Sequence, residues 1–411
     1  MANAKKRDNK GRVLRQGESQ LNDKYKRYTY RYTQDGKQKT IYALTLEELR
    51  EKEEQIKADL KDGIDTQANN KITLNDAFEK YMQGKTELKQ STRTNYMYMY
   101  NKYVREDFGI KKIGKIKYSD VKSFYNSLIK EKGFKPNSME IINTILHPVF
   151  TLAVRDGYIR NNPTDGAMAE IKKSHNWEKP KRHALTIEEQ TAFIDYVAKS
   201  PIYNHWLPIF TVLLGTGCRV GEIIGLTWND IDFENGIISI NHNLIYRQQD
   251  NGTCEFHITT PKTSAGTRII PMLSEVRKAL LQERKKQMCN GFSNTEIDGY
   301  TGFVFTNRFD YVHNPMTLNR AIVRIYKAYN EEETERAKKE HRKPVLIRHF
   351  SVHNLRHTFC TRFCENETNL KVIQEIMGHS DISTTMNIYN EATESKKKES
   401  INALEGKIKI S

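Results

Sequence analysis

The pattern of apolar and polar positions has a period of two near the start of the chain. From residue 24, the segment KYKRYTYRYT alternates aromatic with basic or polar residues, QDGK supplies a turn, and QKTIYA resumes the alternation. This pattern predicts a β-hairpin. The upstream piece GRVLRQGESQ suits a third strand, and Thr45 begins a charged helix, LEELREKEEQIKADL. We therefore expect a small domain of three β-strands and one helix within residues 1–66.

Further along, the period changes to that of an α-helix. Apolar stripes predict four helices, over residues 73–82, 91–106, 118–130 and 137–156. Together they predict an all-α helical bundle, which we place at residues 71–168. The polar stretch 62–70 before the bundle and the basic, proline-containing stretch 169–183 after it lack both periods, so both are predicted to be linkers.

Both periods occur in the last part of the chain, residues 184–411. TIEEQTAFIDYVAKS predicts a capped helix, and WLPIFTVLLGTG predicts a buried apolar helix that ends at a Gly-Thr-Gly turn. Three runs between residues 236 and 272, GIISINHNLIYR, CEFHITT and GTRIIPM, predict a three-stranded antiparallel sheet. This domain is expected to be mixed and mainly α, and the whole chain a multidomain α+β protein.

The charge of the chain is strongly positive and unevenly distributed. The net charge is +15, and residues 1–183 carry 38 Lys and Arg against 24 Asp and Glu. A basic half joined to a nearly neutral half is typical of a protein that binds a polyanion with one part and performs chemistry with the other. No apolar run approaches the roughly 18 residues of a membrane-spanning helix. The basic N-terminus lacks the apolar run of a secretory signal, and five cysteines without framework spacing favour a reducing cytoplasm.

Candidate chemistry is concentrated in SVHNLRHTFCTRFCENETNLKVIQEIMGHSDISTTMNIY, residues 351–389. His353 and Arg356 are three apart, so a helix places both on one face. Gly378 indicates a helix end, His379 follows directly, and Tyr389 lies near the end of a further short helix. Arginine grips phosphate through paired hydrogen bonds, and a nearby hydroxyl suggests phosphoryl transfer. The alternative is a basic helix with core histidines and a buried tyrosine.

Neither a metal nor another cofactor is expected. Cys360 and Cys364 lie near His353 and His357, but no second ligand pair follows at the spacing of a zinc finger. Cysteines four apart are also ordinary in a helix core. No P-loop or EF-hand pattern is present, so neither ATP nor calcium is implied.

Three segments resemble the signature boxes of a known family. LLGTGCRVGEIIGLTWNDID, HNLRHTF and MGHSDISTTMNIY look like those of the tyrosine recombinase (phage integrase) family, and they occur in its order. The likeness covers roughly residues 70 to 400 and is strongest to the integrases of Gram-positive conjugative transposons and phages. It implies a site-specific recombinase that integrates or excises a mobile element through a 3′-phosphotyrosyl intermediate, without metal or ATP.

The resemblance also implies roles for six residues: Arg219, Lys262, His353, Arg356, His379 and Tyr389. The two arginines and His379 would bind the scissile phosphate, and Tyr389 would be the nucleophile. His353 is the candidate base, and Lys262, in a hairpin turn, would protonate the leaving oxygen. His379 and Tyr389 are ten apart where many relatives have nine, but Tyr389 is the only tyrosine after His379.

The resemblance further implies an arm-type DNA-binding domain at 1–66, a core-binding domain at 71–168 and a catalytic domain at 184–411. One face of the N-terminal sheet is expected to carry Lys26, Arg31, Lys37 and Lys39 for phosphate contact. In the helical bundle, KKIGKIK offers Lys112 and Lys115 for the same purpose. The alternative for the four cations of the sheet is a solvated strand face.

The expected partner is double-stranded DNA, at core and arm sites, in the bacterial cytoplasm. The synaptic complex is expected to be a homotetramer, with an excisionase and a host DNA-bending protein as further partners. In the family, the C-terminal tail docks on a neighbouring subunit, for which Ile401, Leu404, Ile408 and Ile410 are candidates here. Two other readings share some features: a type IB topoisomerase, disfavoured by the basic sheet domain, and a non-catalytic DNA-binding regulator, which would not need the full catalytic set.

Overall fold

The computed structural model describes residues 6–34, 36–61, 63, 71–174, 183–248, 253–261 and 263–390. The chain forms two compact units, Met1–Lys179 and Pro180–Ser411. Lys262, most of the predicted linker 62–70 and the four candidate residues of the C-terminal tail lie outside the described residues. No helix in the described part of the chain is long and apolar enough to cross a membrane.

The described residues of the first unit form three strands followed by six α-helices. These are β1 (Glu18–Gln20), β2 (Tyr28–Gln34), β3 (Lys37–Ala43), α1 (Leu46–Lys61), α2 (Leu74–Gly84), α3 (Gln90–Tyr103), α4 (Tyr118–Lys132), α5 (Pro136–Arg155) and α6 (Ala167–Ser174). The strands form an antiparallel sheet in the order β1-β2-β3. The predicted hairpin and third strand are thus confirmed.

The N-terminal sheet buries one face against α1. Alternate tyrosines of β2, Tyr28, Tyr30 and Tyr32, are buried in a small core with Leu46 and Leu49 of the helix. This core follows from the period of two, because every second side chain of a strand points to the same face.

The prediction that four cations share one face of this sheet is wrong. The register pairs Arg31 with Thr40, but Lys39 with Tyr32 and Lys37 with Gln34. Directly opposed residues lie on the same face. Lys37 and Lys39 therefore share the tyrosine face, towards its end, and Arg31 lies on the opposite face. Lys26 precedes β2 in a turn, with a left-handed φ of 47°.

The helical bundle of the first unit follows the predicted stripes to within a few residues. Thr73 and Asp76 form a capping box at the start of α2, and Phe78 stacks on Tyr100 of α3 in the core. α5 continues through Pro148 and ends before Gly157, which has a φ of 71°. The sequence pattern had located each helix because the apolar stripe is what packs into the core.

The predicted linker 169–183 needs a correction at its start. α6 extends to Ser174, and its Ile171 is fully buried in the core of the helical bundle. Residues up to 174 therefore belong to the helical core, and residues 175–182 lie outside the described part of the chain. An ion pair within the first unit, Arg160 Nη2 to Asp59 Oδ1 at 2.8 Å, joins the helical bundle to α1.

The second unit is mainly helical. Its elements are α7 (Ile187–Lys199), α8 (Leu207–Thr216), α9 (Val220–Ile224), β4 (Ile231–Asp232), β5 (Ile237–Ile240), β6 (Asn243–Gln248), β7 (Cys254–Thr259), β8 (Arg268–Pro271), α10 (Ser274–Asn290), α11 (Pro315–Lys339), α12 (Val352–Asn366) and α13 (Leu370–Met377). Residues 382–390 are also helical and are referred to here as the C-terminal helix.

The described strands of the second unit form two sheets instead of the single predicted one. β4, β5 and β8 make one antiparallel sheet, and β6 and β7 make a separate hairpin. The run GIISINHNLIYR is interrupted at Asn241 and His242, which lie between β5 and β6 and contact the segment before β4. A His242 ring nitrogen lies 2.7 Å from the carbonyl oxygen of Gly225, and Asn241 donates to Asp230 at 3.0 Å.

α8 lies in the main core of this unit and positions the segment that follows it. Phe210 and Leu213 are fully buried. The helix ends at Gly217, whose φ is 61°, and a Cβ there would lie 2.3 Å from Cδ1 of Phe359. Glycine is therefore required both for the left-handed turn and for the close packing against α12. This turn directs the chain towards Arg219.

Candidate active site

Arg219 lies at the N-terminus of α9 and is held by Glu222 one turn later. Its backbone N–H donates to Glu222 Oε2 and its Nη1 donates to Oε1, both at 2.8 Å. Its Nη2 donates to the carbonyl oxygen of Gly378 at 3.1 Å. The side chain is 43% exposed, so the guanidinium is anchored while its remaining N–H groups can reach a ligand from solvent.

Arg356, on α12, is buried, at 4% exposure. Its Nη1 donates to the carbonyl oxygen of Gly217 at 2.6 Å, and its Nη2 to that of Met377 at 2.5 Å. Burial, together with the positive charge of Arg219, lowers the pKa of Arg356 to about 10. The Arg356 guanidinium stays protonated at neutral pH. Because burying this charge costs free energy, an anion bound beside it is stabilising.

The two arginines converge on one short segment, because Arg219 and Arg356 donate to the adjacent carbonyl groups of Gly378 and Met377. Gly378 ends α13 with a φ of 62°, and a Cβ there would lie 2.9 Å from the carbonyl oxygen of Ala265. The segment is thus fixed by a glycine turn and by two cations, and it delivers His379 directly beside them.

His379 is buried, and its Nδ1 lies 3.0 Å from Oγ1 of the buried Thr385. Burial, and then the charges of Arg356, Arg219, Arg268 and His353, lower the pKa of His379 to about 4. The imidazole is therefore neutral at pH 7 in the free protein. Its contact with Thr385 leaves Nε2 as the nitrogen that can face a ligand.

The remaining described candidates are His353, on α12, and Tyr389, on the C-terminal helix. His353 lies exposed in the first turn of α12, and its charge contributes to the lowered pKa of His379. Tyr389 is half-buried in the C-terminal helix, which begins where Ser383 N donates to Asp381 Oδ1 at 2.8 Å. Tyr389 packs against a small apolar cluster of Cys360, Cys364, Ile373 and Met377, here termed the satellite cluster.

The cysteines of α12 therefore have a packing role. Among the described residues, no group of three or more His, Cys, Asp and Glu side chains is arranged to hold a metal ion.

The buried ion pair between Arg268 and Glu222 was not found by sequence reasoning. Arg268 Nη2 donates to Glu222 Oε2 at 2.9 Å, and each side chain is 5% exposed. Burial alone would raise the pKa of Glu222, but the hydrogen bond from Arg268 helps to lower this pKa to about 2. The two residues are 46 positions apart, and Arg268 lies in an ordinary strand, so no local spacing marks it.

The predicted DNA-binding lysines and arginine differ in their surroundings. Lys39 Nζ donates to Gln34 Oε1 at 2.8 Å, and Lys112 Nζ donates to the carbonyl oxygen of Lys71 at 2.6 Å. Lys26, Arg31, Lys37 and Lys115 are exposed. These cations lie in the first unit and are not gathered at one point as Arg219, Arg356 and His379 are.

Three family models match successive parts of this chain. The phage integrase family matches residues 183–396, the DNA-binding domain of Tn916 integrase matches residues 2–60, and the phage integrase N-terminal SAM-like domain matches residues 73–129. The chain belongs to the phage integrase family and is a tyrosine recombinase. The resemblance seen in the signature boxes is confirmed.

Individual relatives indicate which kind of tyrosine recombinase this chain is. The transposase from transposon Tn1545 of Streptococcus pneumoniae is 32% identical over 409 residues, covering 95% of this chain and 94% of that protein. The transposase from Tn916 of Enterococcus faecalis is 31% identical over the same length. The chain is thus a site-specific recombinase of the conjugative-transposon integrase type.

Solved structures agree with the fold. The Tn1549 transposon integrase in complex with a circular intermediate DNA is 28% identical, with a TM-score of 0.68, covering 80% of this chain and 99% of that one. A λ integrase dimer bound to a COC′ core site shares the fold at 18% identity, with a TM-score of 0.54 and coverage of 92% and 95%.

Proposed function

We propose that this recombinase cleaves double-stranded DNA with Tyr389 as nucleophile and with Arg219 and Arg356 on the scissile phosphate. The observation that carries the proposal is the convergence of both guanidinium groups on the Met377–Gly378 segment, beside His379. Two cations at one point bind one anion better than two separate cations, and they stabilise the charge that develops in the transition state.

In the proposed reaction, the phenolic oxygen of Tyr389 attacks phosphorus and the bond from phosphorus to the 5′ oxygen breaks. His353 accepts the phenol proton, and Lys262 donates a proton to the leaving 5′ oxygen. Neutral His379 donates a hydrogen bond to a non-bridging oxygen. The 3′-phosphotyrosyl ester keeps the energy of the broken bond, so attack by another strand's 5′ hydroxyl rejoins DNA and needs neither ATP nor metal.

The division of labour along the chain is also proposed. Residues 1–66 bind arm sites, the helical bundle binds core sites, and residues 184–411 catalyse. Because α6 ends at Ser174, we place the end of the helical bundle at residue 174 instead of 168, and the proposed linker is 175–183. The name of the family model over residues 2–60 and the DNA complex of the Tn1549 relative support this assignment.

The assembly is proposed from the number of strands exchanged. Recombination between two duplexes breaks four strands, so four active sites are needed, and a homotetramer supplies them. A protein that holds arm and core sites at once requires bent DNA, which suits a host DNA-bending protein as partner, and an excisionase would bias direction. The reaction takes place in the bacterial cytoplasm, where the DNA is.

The test is the variant Tyr389→Phe on a nicked recombination-site duplex. Loss of the phenol oxygen should abolish the covalent protein–DNA adduct on a denaturing gel and leave DNA affinity within about threefold, because the ring still packs on the satellite cluster. Tyr311→Phe, an exposed tyrosine of the same unit, is the matched control and should form the adduct normally. An adduct in Tyr389→Phe would assign the nucleophile to another residue.

The arm-site assignment has its own test. Deleting residues 1–70 should leave adduct formation at the core site unchanged and weaken binding to a duplex that carries only arm sites. Equal arm-site affinity for the truncated and the full-length protein in a filter-binding titration would contradict the assignment.

A further inference from the structure

One side chain in the second unit contacts three separate parts of the candidate site. Arg268 donates through Nε to the carbonyl oxygen of Ile376 at 2.8 Å, and through Nη1 to that of Gly266 at 3.2 Å. Both Nη atoms also donate to Glu222, at 3.2 and 2.9 Å. Nη2 lies 3.6 Å from Cys218 Sγ. Each nitrogen of the guanidinium thus has a protein partner.

Each of these partners lies within four positions, along the chain, of a residue of the proposed reaction. Glu222 holds Arg219, and Cys218 precedes Arg219 in the chain. Ile376 lies in the last turn of α13, three residues before His379. Gly266 lies in the segment between Lys262 and β8. Arg268 therefore connects the segments that carry Arg219 and His379, and its side chain, only 5% exposed, is not available to DNA.

The charges explain why this connection matters for chemistry. Glu222 Oε1 accepts from Arg219 at 2.8 Å and from Arg268 at 3.2 Å, so the carboxylate is shared between the two cations. Without Arg268, the buried negative charge of Glu222 would be balanced by Arg219 alone. Arg219 would then be drawn towards Glu222, and the uncompensated carboxylate would repel the DNA phosphate.

We propose that Arg268 is a positioning residue of the recombinase, which neutralises Glu222 so that the charge of Arg219 is left for the scissile phosphate, and which fixes the turn before His379. The inference rests on the proposed function of Arg219 and Tyr389. It assigns no contact with DNA to Arg268 itself.

The experiment compares full-length Arg268→Met and Arg268→Lys with wild type. The matched control is Arg348→Met, because Arg348 donates through Nε and Nη2 to the buried Glu189 and lies outside the site. Cleavage is measured in a single turnover at saturating protein on a nicked core-site duplex. Arg268→Met should cleave about 100-fold more slowly, Arg268→Lys about 10-fold, and Arg348→Met within about threefold of wild type. Affinity for the duplex should stay within about threefold throughout.

A neutral substrate separates positioning from a loss of folded protein. A methylphosphonate at the scissile position replaces one charged non-bridging oxygen by a methyl group, so less charge is left for Arg219 to stabilise. The ratio of wild-type to Arg268→Met rates should therefore shrink on this substrate. A fall in the amount of folded protein would lower both rates by the same factor, and the melting temperatures of the two methionine variants show how far each is destabilised.

Two outcomes overturn the inference. Wild-type cleavage by Arg268→Met would do so, as would an equal rate defect on both substrates. Tyr389→Phe is run in parallel, because an adduct in that variant would contradict the proposed nucleophile. If Tyr389→Phe forms no adduct while Arg268→Met cleaves at the wild-type rate, the proposed nucleophile stands and only the positioning role of Arg268 is rejected.

Discussion

The N-terminal sheet and the candidate active site both present cations, but in opposite settings. Arg31 and Lys37 of the sheet are exposed on β2 and β3. The side chains of Arg356 and Arg268 in the site are almost fully buried, and each donates to a backbone carbonyl group that lies far away in the chain. An exposed cation costs little to place, whereas a buried one must be compensated by fixed partners.

This difference in burial suggests that the sheet cations affect DNA affinity, whereas the cations of the site affect the cleavage rate. Exposed cations interact with phosphates through water and are screened by salt, so we expect Arg31 and Lys37 to add DNA affinity that does not depend on accurate placement. Buried cations act in a low-dielectric setting and are held at a fixed angle, so we expect Arg356 and Arg268 to affect the rate of the proposed cleavage step. Changing the geometry of a buried cation should therefore have a far larger effect than removing an exposed one.

The largest expected effect follows from Arg356→Lys. A lysine has a single ammonium and cannot donate to Gly217 and Met377 while also facing a phosphate as a fork. Core-site cleavage should fall by about 1,000-fold, with DNA affinity nearly unchanged. Single-turnover adduct formation measures this, and Arg320→Lys, on the exposed side of α11, is the control. A fully active Arg356→Lys would show that charge alone suffices.

The pH dependence of stability tests the burial of His379. Its pKa is lowered from 6.5 to about 4, so between these values the unfolded chain binds more protons than the folded one. Stability should be complete above pH 6.5 and be lost by roughly 1 to 3 kcal/mol as the pH falls towards 4. Urea unfolding of the second unit at several pH values measures it.

The variant His379→Asn provides the comparison for this pH series. It should show a shallower loss of stability over the same window, because the titrating group has been removed. His313, whose pKa is also lowered to about 4 by burial, remains in the variant and accounts for part of the residual slope. Identical slopes in the two proteins would mean that His379 is not the group that titrates.

The smallest effect is expected from Arg31→Ala. Loss of one phosphate contact should reduce the slope of log K against log salt by about 0.9 and leave core-site cleavage unchanged. Lys39→Ala sharpens the comparison, because Lys39 lies on the opposite face and donates to Gln34. A larger change for Lys39 than for Arg31 would indicate that the tyrosine face of the sheet meets the DNA.

Much of the fold was predictable because it depends on local periodicity. The helices of the bundle and the N-terminal hairpin follow stripes that are visible in a short window of sequence. The face of Lys37 and Lys39 was mispredicted, although counting from the two-residue turn between Gln34 and Lys37 gives the correct face. The break at His242 was not predictable in this way, since its partner is the carbonyl group of Gly225.

The candidate site was predictable only as far as its signature residues. Arg219, Arg356 and His379 were recognised in segments with a known order, and the structure brings these three together. Arg268 was missed because its significance depends on Glu222 and Ile376, which are distant in the chain. A buried cation inside a strand of apolar and polar residues has the same local signature as an exposed one.

The satellite cluster has a mechanical consequence for Tyr389, the proposed nucleophile. Tyr389 and Ile388 pack on four buried residues that do not belong to the main core of the catalytic unit. Detaching the C-terminal helix therefore requires far less free energy than melting that core. In the proposed reaction, a DNA strand joined to Tyr389 would move with the C-terminal helix while Arg219 and Arg356 keep their positions, so the broken end could pass to a new DNA partner.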